Sequence, residues 1–416
     1  MLSKNQLNLA NPLIAVGIVA FWFYFSSKIG IFSDDLFFKK QPLSFDWLST
    51  RYHLWSSRLL IESVVVSLLK YEWILRAVTF LIIAITPIGF YLLLKENKIK
   101  TDIRQCAAIV FLLPLWIMNS AGWAATLINY WYPLTACVFA LYFVSKEKLK
   151  IWEWALLIPL TLFGVNLELN CIGVLGLLCL MLWKGHRSPQ VYVAFLLTAA
   201  SLAFILTAPG NHARTIAEIK TWLPAFAEYT PLYKAYIGTM RVIQFHFFHV
   251  NICFAFVASA IAYLRFKKIR AAVLSLIAVT ILQYLSYTKL KGMVPFAPFE
   301  GAWHTKQYLA IALTLLWGGV LLWGVLTAEI SAKMKVCVLT LLAIAFAIPS
   351  AMGFSPTVWA SNLRTMMPCE FLLVGLGMGI FGLSCCSRDD LWKVLYCCLI
   401  IQVVPIAKLI LGINPV

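Results

Sequence analysis

The sequence predicts an all-α, polytopic membrane helical bundle, and three observations predict it. Hydrophobic residues make up 62% of the 416 positions and charged residues only 12%, about half the charged fraction of an average soluble domain. Mean hydropathy is +0.86. The apolar residues gather into runs long enough to cross a bilayer as helices, separated by short charged loops. Such a composition excludes a soluble globular enzyme, whose surface needs more charge, and intrinsic disorder, which needs low hydrophobicity.

In chain order, spans are expected near 11–27, 74–94, 105–121, 131–145, 151–166, 170–183, 190–207, 249–264, 271–286, 308–326, 336–350, 368–384 and 391–411, about 12–13 transmembrane helices in one integral-membrane domain covering 1–416. The first run has no small-x-small cleavage site after it and reads as a retained helix. Residues 57–70 form a further apolar run, at the interface or extending the second span. Between the first two spans, Phe45, Leu48, Tyr52, Trp55 and Leu59 recur at three and four residues, with Asp46, Arg51 and Arg58 interleaved. This suits an amphipathic helix lying in the membrane interface.

The net charge of +17 comes from 34 Lys and Arg against 17 Asp and Glu. No basic domain with interleaved aromatics lies outside the apolar runs, so the charge does not point to nucleic acid. It sets orientation instead. With the N-terminus in the cytoplasm, short inner loops hold dense basic clusters such as Lys95, Lys98, Lys100 and Arg104, or Arg265, Lys267, Lys268 and Arg270. The long loops, about 28–73, 208–248, 287–307 and 351–367, then face outward and become the expected functional face. The eleven cysteines are odd in number, lack a CxxC and lie mostly in apolar runs, so they read as buried hydrophobes rather than disulfides or metal ligands. There is no Walker A, no GxGxxG and no fixed-period repeat.

Candidate chemistry therefore collects outside. Asp34 and Asp35 are adjacent carboxylates after the first span; one suits a general base, the pair suits a divalent cation such as Mg or Mn, and the bland alternative is a helix cap. Arg51, His53 and Arg58 suit a phosphate head group. Asn129, Tyr130 and Trp131 suit either an aromatic belt or a sugar platform. Glu168 and Asn170 sit between two apolar helices, where an ionisable residue is a functional candidate. Ala208-Pro209-Gly210-Asn211-His212-Ala213-Arg214 is expected to end the seventh span in a turn that presents Asn211, His212 and Arg214 to an anion. His246 and His249 are a weak metal signal without a nearby carboxylate. Glu300, His304 and Lys306 suit an acceptor, and Asn362 and Arg364 a further anion contact.

The layout of many helices, an acidic pair in the first outer loop, an interface helix and scattered outer arginines resembles the GT-C glycosyltransferases. Four strings in this order, Asp34-Asp35, Trp55-Ser56-Ser57-Arg58, Asn129-Tyr130-Trp131 and Ala-Pro-Gly-Asn-x-x-Arg214, resemble a bacterial membrane family that includes the phage-encoded serotype-converting O-antigen glucosyltransferases. Ser57 departs from that pattern, where Gly is expected more often. The resemblance implies a GT-C-like fold in a bacterial inner membrane, with the active site on the periplasmic side. It implies transfer of a hexose, expected to be glucose, from an undecaprenyl-type polyprenyl phosphate to an O-antigen sugar of lipopolysaccharide. Asp34 or Asp35 would be the base, and Arg51, Arg58, Arg214, Arg364 and His212 would bind donor phosphate. Asn129, Tyr130, Trp131, Glu168, Asn170, Asn211, Glu300 and His304 would bind sugar or acceptor. The alternatives are an O-antigen polymerase, which would not require the early Asp pair, and a flippase or transporter of lipid-linked sugars, which would place charges within the spans.

Overall fold

The computed structural model describes residues 30–118, 120–290, 305–361 and 363–410. Every regular element among them is helical: α1 Asp34–Lys39, α2 Phe45–Leu54, α3 Leu59–Leu69, α4 Glu72–Glu96, α5 Ile103–Val110, α6 Trp123–Ser145, α7 Ile151–Gly164, α8 Glu168–Trp183, α9 Pro189–Thr207, α10 Pro209–Trp222, α11 Pro231–Phe248, α12 Ile252–Phe266, α13 Ile269–Leu290, α14 Thr305–Leu326, α15 Ala332–Ser350, α16 Met367–Leu383 and α17 Arg388–Ile410. Six of the described helical segments are long and apolar enough to cross a membrane, and a bent pair makes a seventh. The expected first span, 11–27, lies outside the described residues.

Several expected spans are shorter or broken, each for a local reason. Residues 105–121 form only the eight-residue α5 and a 3-10 turn at Leu115–Met118. Pro114 lies between them, and a proline disfavours helical geometry in the residue before it. The 14-residue α7 and 16-residue α8 rise roughly 21 and 24 Å, less than the hydrocarbon thickness of about 30 Å. The 249–264 span starts at Ile252 because Asn251 caps α12, its side chain accepting from the Phe254 N–H at 2.8 Å. α11 precedes it at a bend of 76°. In the opposite direction, α6 starts at Trp123, eight residues before the expected 131, so Asn129–Trp131 lie inside a helix rather than at its start.

The described residues form two compact units. One holds those up to Pro224 together with those from Pro405 on, and the other holds Ala225–Val404. In the first unit α6 is the central helix, buried along most of its length. It is tied to α4 by a polar ladder. Tyr132 and Thr79 share a hydrogen bond of 2.7 Å, Thr86 and Thr135 one of 2.8 Å, and the Trp131 indole N–H donates to Thr86 Oγ1 at 3.1 Å. All five side chains are buried. In an apolar bundle such bonds fix register, because an unpaired group has no water to turn to. In the second unit α12 and α16 are the buried centre. Peripheral helices leave large apolar side chains outward, among them Leu81, Leu196, Leu274 and Ile400, the surface expected where lipid is the solvent.

Thr86→Val is expected to lower the unfolding free energy by about 1–3 kcal/mol by stranding the buried Trp131 N–H. Adding Trp131→Phe should recover part of that loss. Thermal unfolding of the detergent-solubilised chain measures both, and strictly additive effects would contradict the ladder.

Candidate functional site

All four sequence strings lie in the first unit. The organising contact is Asp35, wholly buried in α1. Its Oδ1 accepts from the Ala125 N–H at 2.6 Å, and its Oδ2 from the Ala124 N–H at 3.3 Å and the Phe32 N–H at 3.4 Å. The Ala124 and Ala125 N–H groups open α6, whose own N-cap, Gly122, has no side chain to offer. A carboxylate from 90 residues away thus caps the helix. Gly122 is required twice. Its φ is +98°, and an added Cβ would meet Asp35 Oδ1 at 2.8 Å. Burial pushes the Asp35 carboxyl above its ordinary value, with the N–H groups of Ala125, Phe32, Ala124 and Trp123 pulling the other way. Asp34, its neighbour in the first turn, is exposed.

Arg51 is taken up by structure. It pairs bidentately with Glu62 of α3 at 2.7 and 2.8 Å. Its guanidinium lies 5.7–5.9 Å from the ring centres of Phe37, Phe38, Trp47 and Trp55, within cation–π range. Arg51 therefore clamps α1, α2 and α3, and has little left for a phosphate. His53, exposed, bonds to Ser49 O of its own helix at 2.8 Å.

Arg58 follows α2 and reaches the first turn of α8. Its Nη2 and Nε donate to Glu168 Oε2 at 2.8 and 3.1 Å. Tyr130 of α6 lies close enough to act on the Arg58 charge. Arg214 approaches the same carboxylate at 3.8 Å and Glu218 at 3.7 Å. These are ion contacts too long to be hydrogen bonds, and the buried Arg214 Nε has no hydrogen-bond partner among the described residues. Burial would raise the Glu168 carboxyl, but the charges of Arg58 and Arg214 outweigh it and hold the group below its ordinary value.

The Ala208–Arg214 string is a helix corner rather than a loose turn. α9 ends at Thr207, and Pro209 takes the first position of α10, where its missing N–H costs nothing. Asn211 Nδ2 donates to Ile205 O at 2.7 Å and to Ser57 Oγ at 2.9 Å. Gly210 seats the corner on α2: a Cβ there would lie 2.5 Å from Tyr52 O and 2.6 Å from Trp55 N. Asn211 Oδ1 is buried without a hydrogen-bond partner among the described residues, as is Asn170 Oδ1, whose amide nitrogen donates to Gly164 O at 2.8 Å. His212 is exposed.

The remaining candidates fall elsewhere. Trp131 is wholly buried against α4 and Tyr130 nearly so, while Asn129 Nδ2 bonds Ala125 O at 2.7 Å; this segment is packed as core. Arg364 is half-buried in the second unit, in the 3-10 turn Leu363–Met366. Glu300, His304 and Asn362 lie outside the described residues, and nothing is described of the Lys306 side chain. For a divalent cation the Asp pair fits poorly. Both Asp35 oxygens already accept backbone bonds, and no third His, Cys, Asp or Glu donor among the described residues joins the pair.

One group escaped sequence reasoning. In the second unit His246, Cys369 and Glu370 are each wholly buried, with donor atoms within 4.8 Å of one another. His246 read as lacking a carboxylate partner because Glu370 is 124 residues away. The available signal was an ionisable side chain inside each of two apolar runs, Phe245-His246-Phe247 and Cys369-Glu370-Phe371. Comparison with known proteins finds no matching family model and no matching curated relative.

The Glu168 cluster carries a pH signature. A carboxyl lowered from 4.5 contributes stability above that value and loses it as pH falls through the lower folded value. The unfolding midpoint of Glu168→Gln should therefore trail wild type at neutral pH, with the gap closing as pH drops below about 4.5. A gap independent of pH would contradict the coupling. Gly122→Ala should sharply reduce the yield of folded chain, read by size-exclusion profile; an unaltered profile would refute the close approach to Asp35.

Proposed function

We propose that the chain is a GT-C-type membrane glycosyltransferase that moves a hexose from a polyprenyl-phosphate donor to an O-antigen sugar on the outer face of a bacterial inner membrane. The observation that carries this reading is the division of labour between two adjacent carboxylates. Asp35 is buried and saturated by the N–H groups of α6, and Asp34 is held exposed beside it. A rigidly anchored helix turn that presents one carboxylate outward is what a general base needs.

The chemistry follows from that arrangement. The acceptor hydroxyl oxygen attacks the anomeric carbon and its proton passes to Asp34. The bond from that carbon to the phosphate oxygen breaks, and the electron pair stays on the departing lipid phosphate. A single displacement through an oxocarbenium-like state inverts the anomeric configuration. Arg214 is the arginine best suited to meet the phosphate, because its contacts to Glu168 and Glu218 are long and its Nε is unused. Arg58 is held by Glu168 and orients the cluster. The unpartnered oxygens of Asn170 and Asn211 suit sugar hydroxyls, which can donate to them. The phosphate leaving group is already activated, so no nucleotide and no metal step are invoked.

A transporter of lipid-linked sugars is the second reading. It is favoured by the buried His246–Glu370 pair, since ionisable groups inside spans commonly mark conduction paths.

The test is expression in a bacterium displaying a defined O-antigen, with the polysaccharide analysed by mass and linkage. Wild type should add one hexose per repeat. Asp34→Asn should lower transfer by about 10²–10⁴-fold while the protein remains in the membrane at wild-type level. Asp35→Asn should lower the amount of folded protein instead. Hexose addition that survives Asp34→Asn would remove Asp34 from the chemistry. No added sugar in any O-antigen background would turn the reading toward the transporter.

A further inference from the structure

We infer that the buried cluster His246, Cys369 and Glu370 in the second unit is a binding site for one transition-metal ion of the zinc class. The donor set is the first reason. An imidazole nitrogen, a thiol sulfur and a carboxylate oxygen converge with no solvent exposure, and borderline-soft divalent metals take that mixture. A second cysteine, Cys253 in the first turn of α12, also lies wholly buried against the Glu370 carboxyl.

The second reason is the orientation of the histidine. His246 Nδ1 lies 2.9 Å from the Val242 carbonyl oxygen. A carbonyl only accepts, so Nδ1 carries the ring proton and directs Nε2 into the cluster. Nε2 there faces Glu370 Oε1 at 2.9 Å and Cys369 Sγ at 3.4 Å. A ring nitrogen and a carboxyl oxygen at that distance need either a proton or a metal ion between them. A ring N–H bonded to a backbone carbonyl is also the arrangement that holds metal-binding histidines. Edges of about 3.3–3.6 Å in a tetrahedral zinc site lie within a few tenths of an ångström of the two His246 separations, and all three donor atoms lie within 4.8 Å of one another.

The surroundings are built in the same way. Asn251 Nδ2 donates to Glu370 Oε1 at 3.0 Å. Gln283 braces both partners: its amide donates to His246 O at 2.6 Å and its oxygen accepts from the Asn251 N–H at 3.1 Å. Phe346 and Phe254 flank the imidazole at 5.2 and 6.2 Å. The cluster joins α11, α12 and α16 at the 76° bend between α11 and α12, so a bound ion would pin a broken helix whose loosened backbone has no water to satisfy it. The proposed sugar transfer uses none of these residues, and the metal site stands or falls without it.

The experiment is metal analysis of the full chain purified in detergent, as isolated and after titration with Zn²⁺ or Co²⁺. About one ion per chain is expected. Cobalt should show tetrahedral visible absorption and a thiolate-to-metal charge-transfer band. Cys369→Ser, which keeps the side-chain volume, should abolish the charge-transfer band. Glu370→Gln should weaken binding by about 10-fold or more, and bound Zn²⁺ should raise the unfolding midpoint of wild type alone. The proposal is overturned if neither metal binds saturably, the result a shared proton between His246 and Glu370 would give, or if uptake and spectra are the same in wild type and Cys369→Ser.

Discussion

Helix α6 begins inside the protein, where no water can reach its first N–H groups and its own N-cap is a glycine. Asp35 supplies the missing partner, and much of the first unit is arranged around that contact. It places α1 against α6 and fixes which of two neighbouring carboxylates is buried. The Phe37 and Phe38 rings on the same short helix then meet Arg51, whose bond to Glu62 sets the entry to α3. The next residues lead to Arg58, which crosses to Glu168. A polar group buried without a partner costs more than the net gain of an ordinary hydrogen bond, so each contact constrains the next.

That chain of obligations explains why similar residues have different fates. Arg51 is saturated by two carboxylate oxygens and packed among four rings, Arg58 is bonded to one oxygen, and the ion contacts of Arg214 to described residues are long. The three arginines rank in how readily an incoming phosphate could engage them. Rank follows from neighbours rather than from residue type, since every arginine carries the same planar fork. In the same way Trp131, which looks like a sugar platform in the sequence, spends its indole N–H on Thr86 and its rings on core packing.

Much of the helical content was legible in the sequence because apolar runs of this length have few other outcomes. The breaks were less legible. Pro114 marked the end of α5, but the shortness of α7 and α8 depends on where Gly164 and Leu167 turn the chain. The start of α6 at Trp123 was hidden because its cap lies 90 residues upstream. The order of the four strings was legible, and the structure joins the second to the fourth through Gly210, Asn211 and Ser57. Which aspartate is buried was not legible, since adjacent identical side chains differ only in the face each presents. His246 and Glu370 were hidden for a related reason: each looks like an isolated polar residue until α11 and α16 come together.

The central claim is that the first unit holds an anion site in which Arg214 meets the phosphate of a polyprenyl lipid. Binding of polyprenyl phosphate to the purified chain, followed by native mass spectrometry against a neutral polyprenol, tests it most directly. The account predicts saturable binding of the phosphate lipid alone, weakened by about 10-fold or more in Arg214→Gln, the loss of one charge-assisted contact. Arg51→Gln should lower thermal stability instead, leaving the affinity of the folded fraction unchanged. Equal binding of both lipids, or phosphate binding indifferent to Arg214→Gln, would contradict the account.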